Sequence, residues 1–555
     1  MDGSEGGLDM RSVAREAAHM VTSDGVRLNA DVWRPRGSGP WPVLLMRQPY
    51  GRSIASTVVY AHPAWYAAHG YLVAIQDVRG RGTSEGEFRL CESEQADGNE
   101  TVAWAAALPG SSGRVGMYGF SYQGMTQLFA AAARPPALKA IAPAMAAWDV
   151  YEDFATEGGA FRLQAGFGWG CQLALETVRR LGDAAAHQAI HAASRMPPLG
   201  TAMPCLPPVA EALGRHGHYL SWLTEPPGAP YWARVSPAAA GGGIDVPALH
   251  IGGWYDPLLG GTLACHAVLS AAGRAQQALV VGPWVHIPWS RHVGDRDFGP
   301  AAASEVDVMQ VCWFDHHLKG AGTWPDGTAP VSLFELSGCW RSFPAWPAGP
   351  PEPWGLASTG RAGMTEVDGI LRPGEDGAAG LDIIVYDPWR PTPSVGGHAG
   401  HPPGPLDRTH ADARSDVLTF TTEPLVRDLH LAGTVRATLR AASDAASFDL
   451  HAILSELPEA GRVYELASGY CRVSGAPAAP VEVGMRAVCA RIRAGSRLRL
   501  SVAAGAYPAF PVNTGTGRPP AEERLIDQRI ITVMLYHGAA SGTALHLPVT
   551  SPPMA

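Results

Sequence analysis

The chain has 555 residues, 46% of them hydrophobic and 17% charged, with a formal net charge of -9. That length is more than one hydrophobic core fills, so about two to four domains of ordinary folded composition are expected. A mildly acidic chain without long acidic or basic runs argues against nucleic acid as a partner.

The first residues, Met1 to Gly7, are acidic and glycine-rich, with nothing resembling a signal peptide. No apolar stretch is long enough to cross a bilayer, so no membrane partner is expected. Up to about residue 145, β and α segments then alternate. Pro42 to Met46 and Tyr71 to Ile75 are short continuous apolar runs, as expected of strands buried on both faces. Arg114 to Tyr118 reads as a further strand, Met125 to Ala133 as a helix, and Leu138 to Ala142 as the next strand. From about 148 to 240 the strand pattern gives way to helical stretches such as Cys171 to Leu181, which predicts an inserted helical region. Strand patterns return at Val246 to Ile251 and Ala278 to Gly282, and a proline-rich stretch from Phe343 to Trp354 marks a boundary. Beyond it the hydrophobic period is two, in Val435 to Ala441, in Leu498, Leu500 and Val502, and in Ile531 to Leu535. Many short half-buried strands predict a β-sandwich, most simply a jelly roll. The eight cysteines form no C-x-x-C pair, which points to neither a disulfide framework nor a metal site and suits a reducing, cytoplasmic setting.

Chemistry concentrates at Gly119-Phe120-Ser121-Tyr122-Gln123-Gly124, between a predicted strand and a predicted helix. A strand, a sharp turn carrying serine and then a helix presents an exposed nucleophile in α/β-hydrolases. The glycines permit the strained backbone, and the helix N-terminus aims free N–H groups at an oxyanion. A serine hydroxyl needs a base, and the base needs an acid to hold its tautomer. The chain order Ser, Asp, His, each just after a sheet strand, selects Asp256 in Gly252-Gly253-Trp254-Tyr255-Asp256 and His286 in Gly282-Pro283-Trp284-Val285-His286. Asp295, Asp297 and His292 are the nearest rivals and lie farther from a strand end.

These motifs, with Arg47-Gln48-Pro49-Tyr50, Asp77-Val78-Arg79-Gly80-Arg81-Gly82, Trp313 to Gly320, Tyr386 to Trp389 and Tyr507 to Phe510, resemble the X-Pro dipeptidyl-peptidase/cocaine esterase family of α/β-hydrolases over nearly the whole length. The resemblance implies an α/β-hydrolase core in two segments, 1–147 and 243–350, a helical cap at 148–242 and a C-terminal all-β jelly roll at 351–555. It places the triad on Ser121, Asp256 and His286, with the Tyr50 hydroxyl and the Tyr122 backbone N–H as the oxyanion hole. It implies no cofactor and no metal.

Amino-ester hydrolases of that family hold a substrate ammonium with carboxylates partly just past the catalytic aspartate. Here that stretch is Asp256-Pro257-Leu258-Leu259-Gly260, where a cationic amine would be desolvated without a partner. An apolar acyl pocket is therefore expected, with Trp148, Tyr151, Phe167, Trp169 and Leu258 as candidate walls and Phe161 beside them. The loop from Ser394 to Gly400 is expected to close it from the jelly-roll side. The leading expectation is a serine hydrolase cleaving small-molecule esters of apolar or aromatic acids through an acyl-enzyme. The alternatives are an amide-cleaving acylase or X-Pro dipeptidyl-peptidase with the same triad, and a degenerate binding protein that uses the jelly roll. Homo-oligomerisation is left open.

Overall fold

An apolar run without alternation suits a parallel sheet covered on both faces, because neither side of such a strand meets water. The computed structural model describes residues 10, 13–53, 57–322, 324, 330–374, 377–459, 461–477 and 479–552. Ten of its strands form the larger sheet of the N-terminal half: β1 (Ala14–Val21), β2 (Arg27–Arg34), β3 (Trp41–Gln48), β4 (Leu72–Asp77), β5 (Ser111–Phe120), β6 (Leu138–Ala144), β7 (Ala248–Tyr255), β8 (Gln277–Val285), β9 (Val331–Glu335) and β10 (Cys339–Phe343). Their order is β1-β2-β4-β3-β5-β6-β7-β8-β9-β10. The strands from β4 to β9 run parallel, and antiparallel partners lie at both edges.

Successive side chains of each strand enter different cores, as the period of two demands. Val43 and Leu45 join helices α1 (Glu94–Ala106) and α2 (Tyr122–Ala132) on one face, while Leu44 and Met46 pack with Trp284, Trp313 and Phe314 on the other. Between β6 and β7 the chain leaves the sheet for the small hairpin Thr156–Phe161, helix α3 (Leu163–Leu181) and the shorter helices Ala184–Arg195, Ala210–His216, Tyr219–Thr224 and Pro230–Val235. Their apolar side chains continue the core above α1 and α2.

The C-terminal half is all-β, as expected, and pairs twelve strands in one network. In the strand Leu429–Ser443, Val435, Ala437, Leu439 and Ala441 are buried while the residues between them are not, which is the alternation read from the sequence. The strand Arg497–Ala503 departs from that reading. Arg499 and Ser501 are buried as fully as Leu498, Leu500 and Val502, so both faces are covered. Arg499 is tolerated there because its guanidinium meets Asp412 at 3.5 Å and Glu366 at 3.3 Å.

Candidate active site

Tyr50, Ser121, Asp256 and His286 follow β3, β5, β7 and β8, so four carboxyl ends of neighbouring parallel strands converge on one place. Ser121 is held at φ 59° and ψ -126°, a left-handed conformation that a side-chain-bearing residue keeps only when its surroundings impose it. Those surroundings are specific. Ser121 N–H donates to Ala144 O at 2.9 Å, and its carbonyl accepts from Gly124 and Met125, starting α2. A Cβ on Gly119, at φ 140°, would sit 2.5 Å from Gln123 Cβ, and one on Gly124 would sit 2.8 Å from Ala146 Cβ. Gln127 stitches the turn to the next strand, donating to Gly119 O and accepting from Ala142 N, both at 3.0 Å.

His286 Nδ1 lies 2.7 Å from Oδ1 of Asp256, which is fully buried. A carboxylate only accepts, so Nδ1 carries the proton and Nε2 is left with its lone pair. The imidazole rests on Phe120 with ring centroids 5.5 Å apart, and its own carbonyl accepts from the Trp289 indole at 3.1 Å. Ser121 and His286 line one cavity of about 400 Å³.

Tyr50 lines the same cavity. Its hydroxyl oxygen accepts from Trp169 Nε1 at 3.1 Å and is in hydrogen-bond contact with the Ser121 side chain. Burial pushes the phenol up to about 12, with the Trp169 and Ser121 bonds and the charge of Arg81 pulling the other way. The loop carrying Tyr50 is pinned by Asp77 at the end of β4. Asp77 accepts from the Arg52 backbone and guanidinium, both at 2.6 Å, and from Gln48 at 3.3 Å, while Gln48 accepts from Tyr50 N–H at 2.8 Å. Tyr122 opens α2, so its N–H has no intrahelical acceptor. Its side chain points away into the core, donating to Glu94 at 2.8 Å, and Glu94 is in turn held by Arg47 at 2.7 Å.

The remaining walls are Val58, Phe120, Gln123, Phe154, Ala165, Trp169, Gln172, Pro257, Leu258 and Ile287, with no acidic or basic chain besides His286 among the described residues. Trp169 and Leu258 are thus at the cavity, and Trp148, Tyr151 and Phe167 are not. Trp148 fills the space beside Gly241, where a Cβ would approach it to 1.9 Å. Tyr151 packs edge-on to Trp232, and Phe167 and Phe161 both pack on Tyr219. For Phe167, helix phase explains the difference. Ala165, Trp169 and Gln172 follow i, i+4, i+7 spacing along one face of α3, and Phe167 falls on another. That spacing, and the positions directly after Asp256 and His286, were the signals for Gln172, Pro257 and Ile287. Phe154, its ring tilted against Trp169 with centroids 4.7 Å apart, had no such signal. The loop from Ser394 to Gly400 lies elsewhere, around a separate small cavity with Glu157 and Glu465. The rivals Asp297 and His292 face each other at 3.3 Å across an exposed turn, with Arg291 on Asp297. Asp295 caps the Asp407 N–H at 3.0 Å.

Comparison with known proteins agrees with this architecture. The model of the X-Pro dipeptidyl-peptidase (S15 family) matches residues 24–288, and that of the X-Pro dipeptidyl-peptidase C-terminal non-catalytic domain matches 323–545. The chain is 31% identical to the cocaine esterase of Rhodococcus sp. (strain MB1 Bresler) over 95% of its own length and 96% of the relative's. It is 27% identical to a putative serine esterase of Mycobacterium bovis, covering 83% of this chain and 81% of that one. Among solved structures, an α-amino acid ester hydrolase shares the fold with a TM-score of 0.82 at 21% identity, over 99% of this chain and 98% of that one. An aminopeptidase from a marine sediment Thaumarchaeota archaeon does so with 0.80 at 23%, over 98% and 97%. With both halves matched and a relative of that identity spanning it almost end to end, the chain belongs to the cocaine esterase/X-Pro dipeptidyl-peptidase family of hydrolases.

Proposed function

We propose that the protein is a serine hydrolase that cleaves carboxylic esters of apolar or aromatic acids through an acyl-enzyme. Ser121 Oγ attacks the ester carbonyl as its proton passes to His286 Nε2. Asp256 keeps the imidazole in the tautomer that leaves Nε2 free and stabilises the imidazolium that forms. The oxyanion is met by the Tyr50 hydroxyl and the Tyr122 N–H, two donors already in place before charge develops. His286 returns its proton to the departing alkoxide. A water then repeats the cycle, releasing the acid and restoring Ser121.

The observation that carries the ester reading is the wall of the cavity. Phe154, Trp169, Leu258, Ile287 and Val58 offer an acyl group apolar contact, and no described wall residue is a carboxylate that would hold a substrate ammonium. A free N-terminal amine or an α-amino acyl group would lose its hydration there without an ionic partner. The likeness to an esterase over the full length points the same way.

A fluorophosphonate probe is expected to label Ser121, with labelling abolished in Ser121→Ala. Parallel assays on a nitrophenyl ester, a phenylacetyl amide and an X-Pro anilide should give the highest kcat/KM on the ester, and Ser121→Ala should lose several orders of magnitude. Faster turnover of the amide or the anilide would replace the esterase reading by the acylase or peptidase one. Absence of labelling would remove the nucleophile assignment itself.

A further inference from the structure

Directly after Asp256, the carbonyl of Pro257 is gripped by two arginines from distant parts of the chain. Arg162 Nη1, from the start of α3, donates to it at 2.9 Å, and Arg486 Nη2, from the strand Val481–Ile492 of the C-terminal β-domain, donates at 3.0 Å. Two guanidinium groups on one carbonyl would repel each other without a shared counter-ion. Glu157, in the hairpin before α3, supplies it: Oε2 accepts from Arg162 at 2.5 Å and from Arg486 at 3.4 Å. The same oxygen is 2.8 Å from His398 Nε2, on a loop of the β-domain. Burial works against charge on Glu157, yet His398, Arg162 and Arg486 hold its carboxyl well below the ordinary range. Space is also arranged around the grip. A Cβ on Gly260 would come within 2.7 Å of Arg486 Nη1.

The gripped peptide lies between two residues of the proposed site. Asp256 precedes it and Leu258 follows it into the cavity wall. Asp256 Oδ1 bonds to His286, while Oδ2 is buried and has no hydrogen-bond partner among the described residues. Besides its own backbone bonds, Asp256 N–H to Gly253 O at 3.1 Å and Leu259 N–H to Asp256 O at 3.2 Å, the turn is gripped from outside the triad at the Pro257 carbonyl. We propose that Arg486, contributed by the domain whose family description is non-catalytic, is a positioning residue for the triad, clamping the Pro257 carbonyl with Arg162 across Glu157 so that Asp256 and Leu258 keep their places. The inference rests on the assignment of Asp256 to the triad. A chain that lacks this clamp folds its two halves but lets the aspartate turn drift, and a displacement of about 1 Å at a catalytic group can lower turnover roughly 100-fold.

The test compares Arg486→Met, Arg486→Lys and Glu157→Gln with Arg499→Met in the full-length protein, counting active sites by fluorophosphonate titration. Arg499 is similarly ion-paired, but its partners Thr421, Asp412 and Glu366 all lie within the β-domain. Arg486→Met and Glu157→Gln are expected to lower kcat per titrated site about 10- to 100-fold with KM changed less than about 3-fold. Arg486→Lys, which keeps the charge and one donor, should recover most of the loss. Arg499→Met should lower the unfolding midpoint and leave kcat per site unchanged. Equal kcat per site in wild type and Arg486→Met would overturn the proposal, as would a loss in Arg499→Met as large as in Arg486→Met. If the nucleophile assignment itself were wrong, wild type would fail to label at Ser121, a different outcome from equal labelling and equal turnover in all variants.

Discussion

To serve an oxyanion as proposed, the phenol of Tyr50 must keep its proton, and burial secures this by pushing the hydroxyl up to about 12 against the opposing pull of the Trp169 and Ser121 bonds. Indole and phenol are arranged in the useful order. Trp169 donates to the Tyr50 oxygen, so the O–H is the one donor the phenol has to offer in the proposed mechanism. Tyr50→Phe should therefore reduce kcat by about 10² to 10³. Because the donor does not titrate below pH 10, the ratio of wild-type to variant kcat should stay constant from pH 6 to pH 10. A ratio that shrinks toward one as pH passes 9 would mean that the hydroxyl ionises early, against the burial argument. The same shift has a stability sign. The folded chain holds this proton more tightly than the unfolded chain, whose tyrosine titrates near 10.0, so the contribution is complete below pH 10 and is lost as pH climbs toward 12.

At the scale of elements, the strand–turn–helix unit β5–α2 couples fold to chemistry. Gly124 lets α2 approach the end of β6 so closely that a Cβ would lie 3.0 Å from Ala144 O. Gly124→Ala must push the helix away from the strand that receives the Ser121 N–H, a strain of about 1–3 kcal/mol. Denaturant unfolding should show that loss, and kcat per titrated site should fall as well, because the Tyr122 N–H moves with the helix. Unchanged kcat would mean that the turn tolerates the displacement. This unit was legible in the residues themselves, as were the strands before Asp256 and His286, because buried parallel strands need uninterrupted apolar runs. The phase of α3 was not. Phe167 is as aromatic as Trp169, and only the face each one turns on α3 decides whether it lines the cavity or packs in the cap, while Trp148 and Tyr151 lie before that helix and pack beside Gly241 and Trp232. The covered strand Arg497–Ala503 misled for a related reason. Arg499 reads as a solvent residue until Asp412 and Glu366, far away in the chain, arrive to pair with it. Arg162, Glu157 and Arg486 were equally silent, since more than 300 residues separate the hairpin from its β-domain partner.

Across the whole molecule the two halves share one core. Tyr255, Leu279, Val281 and Leu333 of the hydrolase sheet lie in the same apolar cluster as Leu466, Val483 and Val488 of the β-domain. Backbone bonds cross the junction too: Leu336 N–H to Cys489 O at 2.9 Å and Asp295 N–H to Pro405 O at 3.1 Å, with the Tyr255 hydroxyl donating to Glu465 O at 3.2 Å. Tyr255 immediately precedes Asp256, so the β-domain braces the aspartate turn from both sides, through Tyr255 and through the Pro257 carbonyl. A chain ending at Ala345 would expose that apolar face to water and strip Glu157 of His398 and Arg486. It is expected to aggregate, or to remain unlabelled by fluorophosphonate if kept in solution. Co-expression of residues 346–555 as a separate chain should restore soluble, labelled protein, since the interface is noncovalent. A truncated chain that is monomeric and labels at the full-length rate would show instead that the hydrolase half sets its aspartate turn unaided.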